Sequence, residues 1–121
     1  MNEVNTYRQI TSIIHELGVP AGTAGHEYIR SAIMMVVGDR SITRAITKRL
    51  YPEIVVHYGI TPQRAERATR YAIETGWNRG NPKAQEHYFG WTVNPETGKP
   101  TNGHFIATIA DAICMEQELR L

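Results

Sequence analysis

Residues 52–77, PEIVVHYGITPQRAERATRYAIETGW, decide the fold. Pro52 suits the first turn of a helix, and Ile54, Val55 and Tyr58 recur as one inward-facing stripe. Gly59 ends that helix, because glycine accepts the left-handed backbone that a C-cap wants. Thr61 is a good N-cap and Pro62 a good first residue for a long helix expected over 62–77. Short helix, tight glycine turn and longer helix together make a helix-turn-helix plan.

At about 100° per residue, the longer helix divides into two faces. Ala65, Ala68, Thr69, Ala72, Ile73 and Gly76 share one side, and their small size allows close packing. Gln63, Arg64, Arg67, Arg70, Tyr71 and Glu74 share an opposing arc. Three Arg, one Gln and one Tyr make a reading surface: Arg matches guanine O6 and N7 with a planar fork, and Gln pairs with adenine in the same bidentate way. Glu66 falls at the edge of the arc. It can accept from a cytosine amino group, or pair with Arg70 at i,i+4. The first turns of such a helix are expected to lie deepest in a groove.

Working outward, Tyr7, Ile10, Ile13, Ile14 and Leu17 recur at helical spacing, so a helix is expected over 6–17 with Gly18 at its left-handed end. A second helix is expected over 25–37 on the stripe Ile29, Ala32, Ile33 and Val36. A third starts near Asp39 or Ser41 and buries Ile42, Ala45, Ile46 and Leu50. Tyr51-Pro52 is expected to break it, since proline disfavours helical geometry in the residue before it. After Gly80-Asn81-Pro82 a short helix covers 83–88. Residues 89–99 read as irregular or weakly extended. Thr101 or Asn102 caps a last helix running to about 118, with Phe105, Ile106, Ile109, Ala110 and Ile113 inward. No segment alternates with period two, so the expected class is all-α, a compact six-helix domain.

Length and composition narrow the function. The chain has 121 residues and a net charge of only +1. That is one domain of ordinary size, expected over 1–121, with no room for a second. No membrane-length apolar run or secretory start is present, and Cys114 stands alone, which fits the cytoplasm. Yet residues 40–83 hold nine basic side chains against three acidic ones, while the rest holds four against nine. A basic middle between acidic flanks is the footprint of a polyanionic partner. Within it, Arg44, Lys48 and Arg49 upstream of the long helix, Thr61 at its cap, and Arg79 and Lys83 downstream are candidates for phosphate contact. Such contacts position a protein and make binding salt-sensitive without reading bases. The five His lack metal-ligand spacing, and no nucleophile elbow, phosphate loop or dinucleotide fingerprint occurs. The expectation is a non-enzyme with no cofactor and no metal.

Six collinear blocks also carry a resemblance: ITSIIHELGVPA (10–21), RAITKRLYPEI (44–54), RAERATRYAIE (64–74), GWNRGN (76–81), FGWTV (89–93) and GKPTNGHFIATIAD (98–111). The chain resembles the C-terminal DNA-binding effector domains of the stage zero sporulation protein A family of response regulators. The resemblance implies an embedded helix-turn-helix that binds double-stranded DNA. It also implies head-to-tail homodimers on tandem sites, and regulation through contact with RNA polymerase sigma factor. By position it puts Arg64, Glu66, Arg67 and Arg70 on the base-contacting face, and Phe89 and Val93 on the polymerase-contacting surface. The family carries Ser and His where this chain has Gln63 and Tyr71, which points to a different site preference. Family members usually also carry a phosphoacceptor receiver domain, for which 121 residues leave no room. From the residues alone, two other readings of the basic face stay open. One is a protein-interaction module for an acidic partner; the other is a stand-alone competitor of full-length family members.

Overall fold

The computed structural model describes residues 3–119, apart from the side chain at position 47. It contains six α-helices and, among the described residues, no strand. The helices are α1 (Glu3–Glu16), α2 (Ala24–Gly38), α3 (Tyr51–Tyr58), α4 (Pro62–Arg79), α5 (Pro82–Phe89) and α6 (Asn102–Leu119). α2 is the hub. It packs against α1, α4 and α6, and its Ile29, Ala32, Ile33 and Val36 are buried, as their spacing predicts. Ile10, Ile13, Ile14 and Leu17 come to this core from the first helical segment and its end. Phe105, Ile106, Ile109, Ala110 and Ile113 come from α6. Each such aliphatic side chain contributes about 1.5–3 kcal/mol on burial, so this one cluster holds the molecule together.

Three expectations are corrected. Residues 40–50 do not form an α-helix. A 3-10 segment, Arg40–Ala45, is followed by a π turn, Ile46–Leu50, which runs without a break into α3. Ile42, Ile46 and Leu50 are buried as expected, but Ala45 is only half-buried and its backbone (φ −143°, ψ 44°) makes the joint between the two turn types. Tyr51-Pro52 is likewise no break. Leu50 and Tyr51 both keep helical dihedrals, because the wide turn before Pro52 leaves room for its ring and asks for no proline N–H. Tyr7, placed by spacing on the buried stripe, is 43% exposed and instead carries the Arg30 guanidinium 4.2 Å above its ring.

The α1–α2 corner brings backbones into contact with α4. Gly18, at φ +81°, closes α1 with hydrogen bonds from its own N–H to His15 O and from Val19 N–H to Ile14 O. This turn lies against Gly76. A Cβ on Gly76 would sit 2.7 Å from Leu17 O and 2.8 Å from Gly18 C. At the start of α2, Gly25 lies so close to Ala68 O that no side chain fits between them. The same corner buries His26, whose Nε2 lies 3.0 Å from His15 Nε2, so that one ring donates to the other. Burial first, then Arg30 and His15, push the His26 imidazole below its ordinary value of 6.5, with Glu27 opposing.

Two outcomes are expected. Gly76→Ala gains about 1 kcal/mol of helix propensity but meets rigid backbone, where overpacking costs about 1–3 kcal/mol or more. The net loss should lower the melting temperature by several degrees; an unchanged or raised one would contradict the backbone contact. For His26, the folded chain holds the neutral ring. Its contribution is complete above about pH 6.5 and declines below that, as the unfolded chain takes up the proton first. Urea midpoints should therefore fall between pH 7 and 5.5, and fall less in His26→Gln. Equal slopes in the two proteins would remove His26 as the cause.

Candidate nucleic-acid interface

The turn between α3 and α4 is built from local chemistry. Gly59 adopts φ 64°, ψ 41°, and its N–H, together with that of Ile60, reaches Val55 O to close α3. Thr61 is extended (φ −85°, ψ 156°), and its hydroxyl accepts from Arg64 N–H at 3.2 Å. Its carbonyl begins the ladder of α4 by accepting from Ala65 N–H at 3.0 Å. α3 is held to α2 at the end next to the turn: the Tyr58 and Ser31 hydroxyls are hydrogen-bonded at 2.5 Å, and the Tyr58 ring lies 4.8 Å from that of Tyr28.

α4 presents the two faces expected of it. Ala65, Thr69, Ala72, Ile73 and Gly76 are buried, and Ala68 is half-buried against α2. Gln63, Arg64, Arg67, Arg70 and Tyr71 are exposed, Tyr71 to 67%. Glu74 leaves this arc. It is half-buried and pairs with Lys99 Nζ at 2.9 Å. Glu66 takes the intrahelical option: its Oε1 accepts from Arg70 Nε at 2.9 Å and its Oε2 from Arg70 Nη2 at 3.5 Å. That carboxylate pushes the Arg70 guanidinium further above its ordinary range. Among the described residues, no carboxylate lies within ion-pair range of Arg64 or Arg67. The first half of α4 thus carries two uncompensated, solvated guanidinium groups on successive turns.

The flanking cations are placed differently. Arg44 and Lys48 are exposed on the 3-10 and π segments that lead into α3. Arg49 is tied down, donating from Nη1 to Ser41 Oγ at 2.8 Å and from Nη2 to Asp39 Oδ2 at 3.2 Å. Asp39 also accepts from the Ser41 hydroxyl and amide, which with Arg49 hold its carboxyl below the usual range. Arg79 and Lys83 are exposed beyond the other end of the recognition arc. Fifteen residues of helix separate Arg64 from Arg79, about 22 Å at 1.5 Å per residue. They therefore cannot serve one base step, and flank the arc instead.

The loop between α5 and α6 holds a surprise. Phe89 is 2% exposed and packs edge-on against Trp77, with Phe105 and His104 close by. Val93 is half-buried. Between them Trp91 is 99% exposed, above a groove whose walls include Trp77, Phe89 and Val93. In the sequence, Trp91 stands out only as part of the block FGWTV (89–93). The signal was its position inside a short turn-rich stretch, where an indole has little to pack against. Among the described residues no group of three or more His, Cys, Asp or Glu is arranged to hold a metal ion. No described helix is long and apolar enough to cross a membrane.

An all-helical domain whose capped second helix offers an open Arg face, on a tightly packed scaffold, belongs to the helix-turn-helix class of DNA-binding domains. The family model described as Sporulation initiation factor Spo0A C terminal matches residues 10–113. The chain belongs to this family, the DNA-binding effector domains of a sporulation regulator.

Proposed function

We propose that residues 1–121 act as one effector domain that binds double-stranded DNA sequence-selectively by laying the first half of α4 in the major groove. The observation that carries this reading is the pair of uncompensated guanidinium groups, Arg64 and Arg67, on a helix whose other face is pinned to α2. Arg64 and Arg67 read guanine edges. Gln63 and Tyr71 border them, and Arg70 acts together with Glu66. Arg44, Lys48, Thr61, Arg79 and Lys83 meet phosphates on either side. Arg49 joins them by exchanging Asp39 for a phosphate oxygen. On tandem sites two copies bind head to tail. The domain works in the cytoplasm, as a regulator rather than an enzyme.

Transcriptional output runs through RNA polymerase sigma factor. The contact is the surface around Val93, with Trp91 as the exposed apolar anchor and Phe89 as the buried ring that supports it. Aromatic side chains with one face free are the usual anchors of protein interfaces.

Arg64→Ala or Arg67→Ala should cost about 1–3 kcal/mol on a site selected from random duplexes and relax one base preference. Arg79→Ala or Lys48→Ala should weaken every duplex alike and lower the salt slope by about one. Fluorescence anisotropy across single-base variants measures both. Wild-type affinity in the Arg64 and Arg67 variants would sink the reading, and binding of acidic proteins with no saturable duplex binding would replace it. In a reconstituted transcription assay, Trp91→Ala and Val93→Ala should bind duplex normally and yet activate or repress poorly. Full regulation by both variants would move the polymerase contact elsewhere.

A further inference from the structure

Asn102 opens α6 and is half-buried beside the helix-turn-helix. Its Nδ2 has two hydrogens and spends both. One goes to the Tyr51 hydroxyl at 2.9 Å, and the other to the main-chain carbonyl of Glu66 at 3.2 Å. Tyr51 is the first residue of α3, at the end remote from the turn, and Glu66 lies in the second turn of α4. A single amide thus ties both helices of the motif to a third element. The Glu66 carbonyl can take this bond in addition to its place in the helical ladder, because a carbonyl oxygen has two lone pairs.

A second attachment lies further along. Lys99, three residues before Asn102, pairs with Glu74 at 2.9 Å. Glu66 and Glu74 are eight residues apart, about 12 Å along the helix. The segment 99–102 therefore grips one flank of α4 at two points, and Arg70 sits between them, held by Glu66 itself. Two-point attachment opposes rolling of a helix about its axis. The Gly25–Ala68 and Gly18–Gly76 contacts set how close it comes to the α1–α2 corner, and segment 99–102 adds a grip on a second side. Rolling matters here: about 20° of it carries a guanidinium some 8 Å from the axis through about 3 Å, against a tolerance of roughly 0.5 Å for a productive contact.

We propose that Asn102 is a specificity-determining positioning residue, whose amide sets the roll of α4 and so the aim of the Glu66–Arg70 pair at its base. This rests on the reading of α4 as the groove-binding helix. Asn102 touches no base itself and acts through Arg70.

Asn102→Asp tests it. The carboxylate has the same shape and is favoured in the first turn of a helix, so the start of α6 is kept or improved. Both N–H donors are lost. Affinities are measured by anisotropy for the full chain on a selected site and on each single-base variant of it. Helical content and the salt slope should match wild type, while discrimination falls most, about tenfold, at the base pair that Arg70→Ala also relaxes, and less at those that Arg64→Ala and Arg67→Ala relax. In the Arg70→Ala background, Asn102→Asp should add no further loss at that base pair, as expected for two groups acting as a unit. A wild-type specificity profile, a uniform loss on all duplexes, or additive effects in the double variant would each overturn the assignment. If Asn102→Asp loses helical content, Lys99→Gln carries the same test. It cuts the second attachment at a partly exposed pair and should show a smaller loss in the same base column, and its absence there overturns the proposal. Wild-type chain that binds all duplexes equally would instead overturn the reading of α4, and this assignment with it.

Discussion

The approach of α4 to the α1–α2 corner is the constraint on which the rest depends. Helices normally keep 8–10 Å between axes because side chains stand between them. Here Gly25 meets Ala68 O, and Gly18 meets Gly76, with only backbone and the Ala72 methyl at the contacts. The small inner face of α4 follows from this, since Ala65, Ala72 and Gly76 leave the room that a larger residue would fill. So does the sharp distinction between its two sides. A helix held this deeply by one face has only the opposite arc to offer a partner, and that arc carries Arg64, Arg67 and Arg70.

Charge is arranged to the same end. The acidic residues are not simply elsewhere, because several are placed to occupy particular cations. Asp39 takes Arg49, Asp111 takes Arg40, Glu66 takes Arg70 and Glu74 takes Lys99. All four pairs are partly exposed and individually contribute little stability. Their effect is to orient long side chains, and to leave Arg64 and Arg67 as the unpaired cations on the first half of α4, with the field of the basic segment undiminished. A net charge near zero therefore hides a strongly polarised molecule.

Features set by neighbouring residues were legible in the sequence. The Gly59 turn, the Thr61 cap, the two faces of α4 and the Thr101 cap of the last helix follow from local rules, and the structure has each of them. The all-α class and the family were legible too, because six blocks fall in one order. What went unread depends on distant partners. Tyr51-Pro52 reads as a helix break, yet the ladder before it changes from 3-10 to π spacing, which a periodicity argument built on 3.6 cannot anticipate. Tyr7 fits the buried stripe of α1 but lies at its end, where Arg30 covers it more cheaply than the core. Glu74 fits the outer arc until Lys99 draws it aside. Phe89 is put on a contacting surface by resemblance, whereas Trp77 and Phe105 draw its ring into the core. The Asn102 amide reaches partners 36 and 51 positions away, and no local pattern announces it.

The two tryptophans stand in opposite surroundings. Trp77 has its ring 5.1 Å from Phe89, edge to face, while Trp91 stands in water. Indole emission shifts with solvent, so the unlabelled chain carries two built-in optical probes of separate events. The blue-shifted component from Trp77 follows the integrity of the helical core. The red-shifted component from Trp91 follows whatever comes to rest on the loop between α5 and α6, and a quencher dissolved in the buffer silences the second before the first.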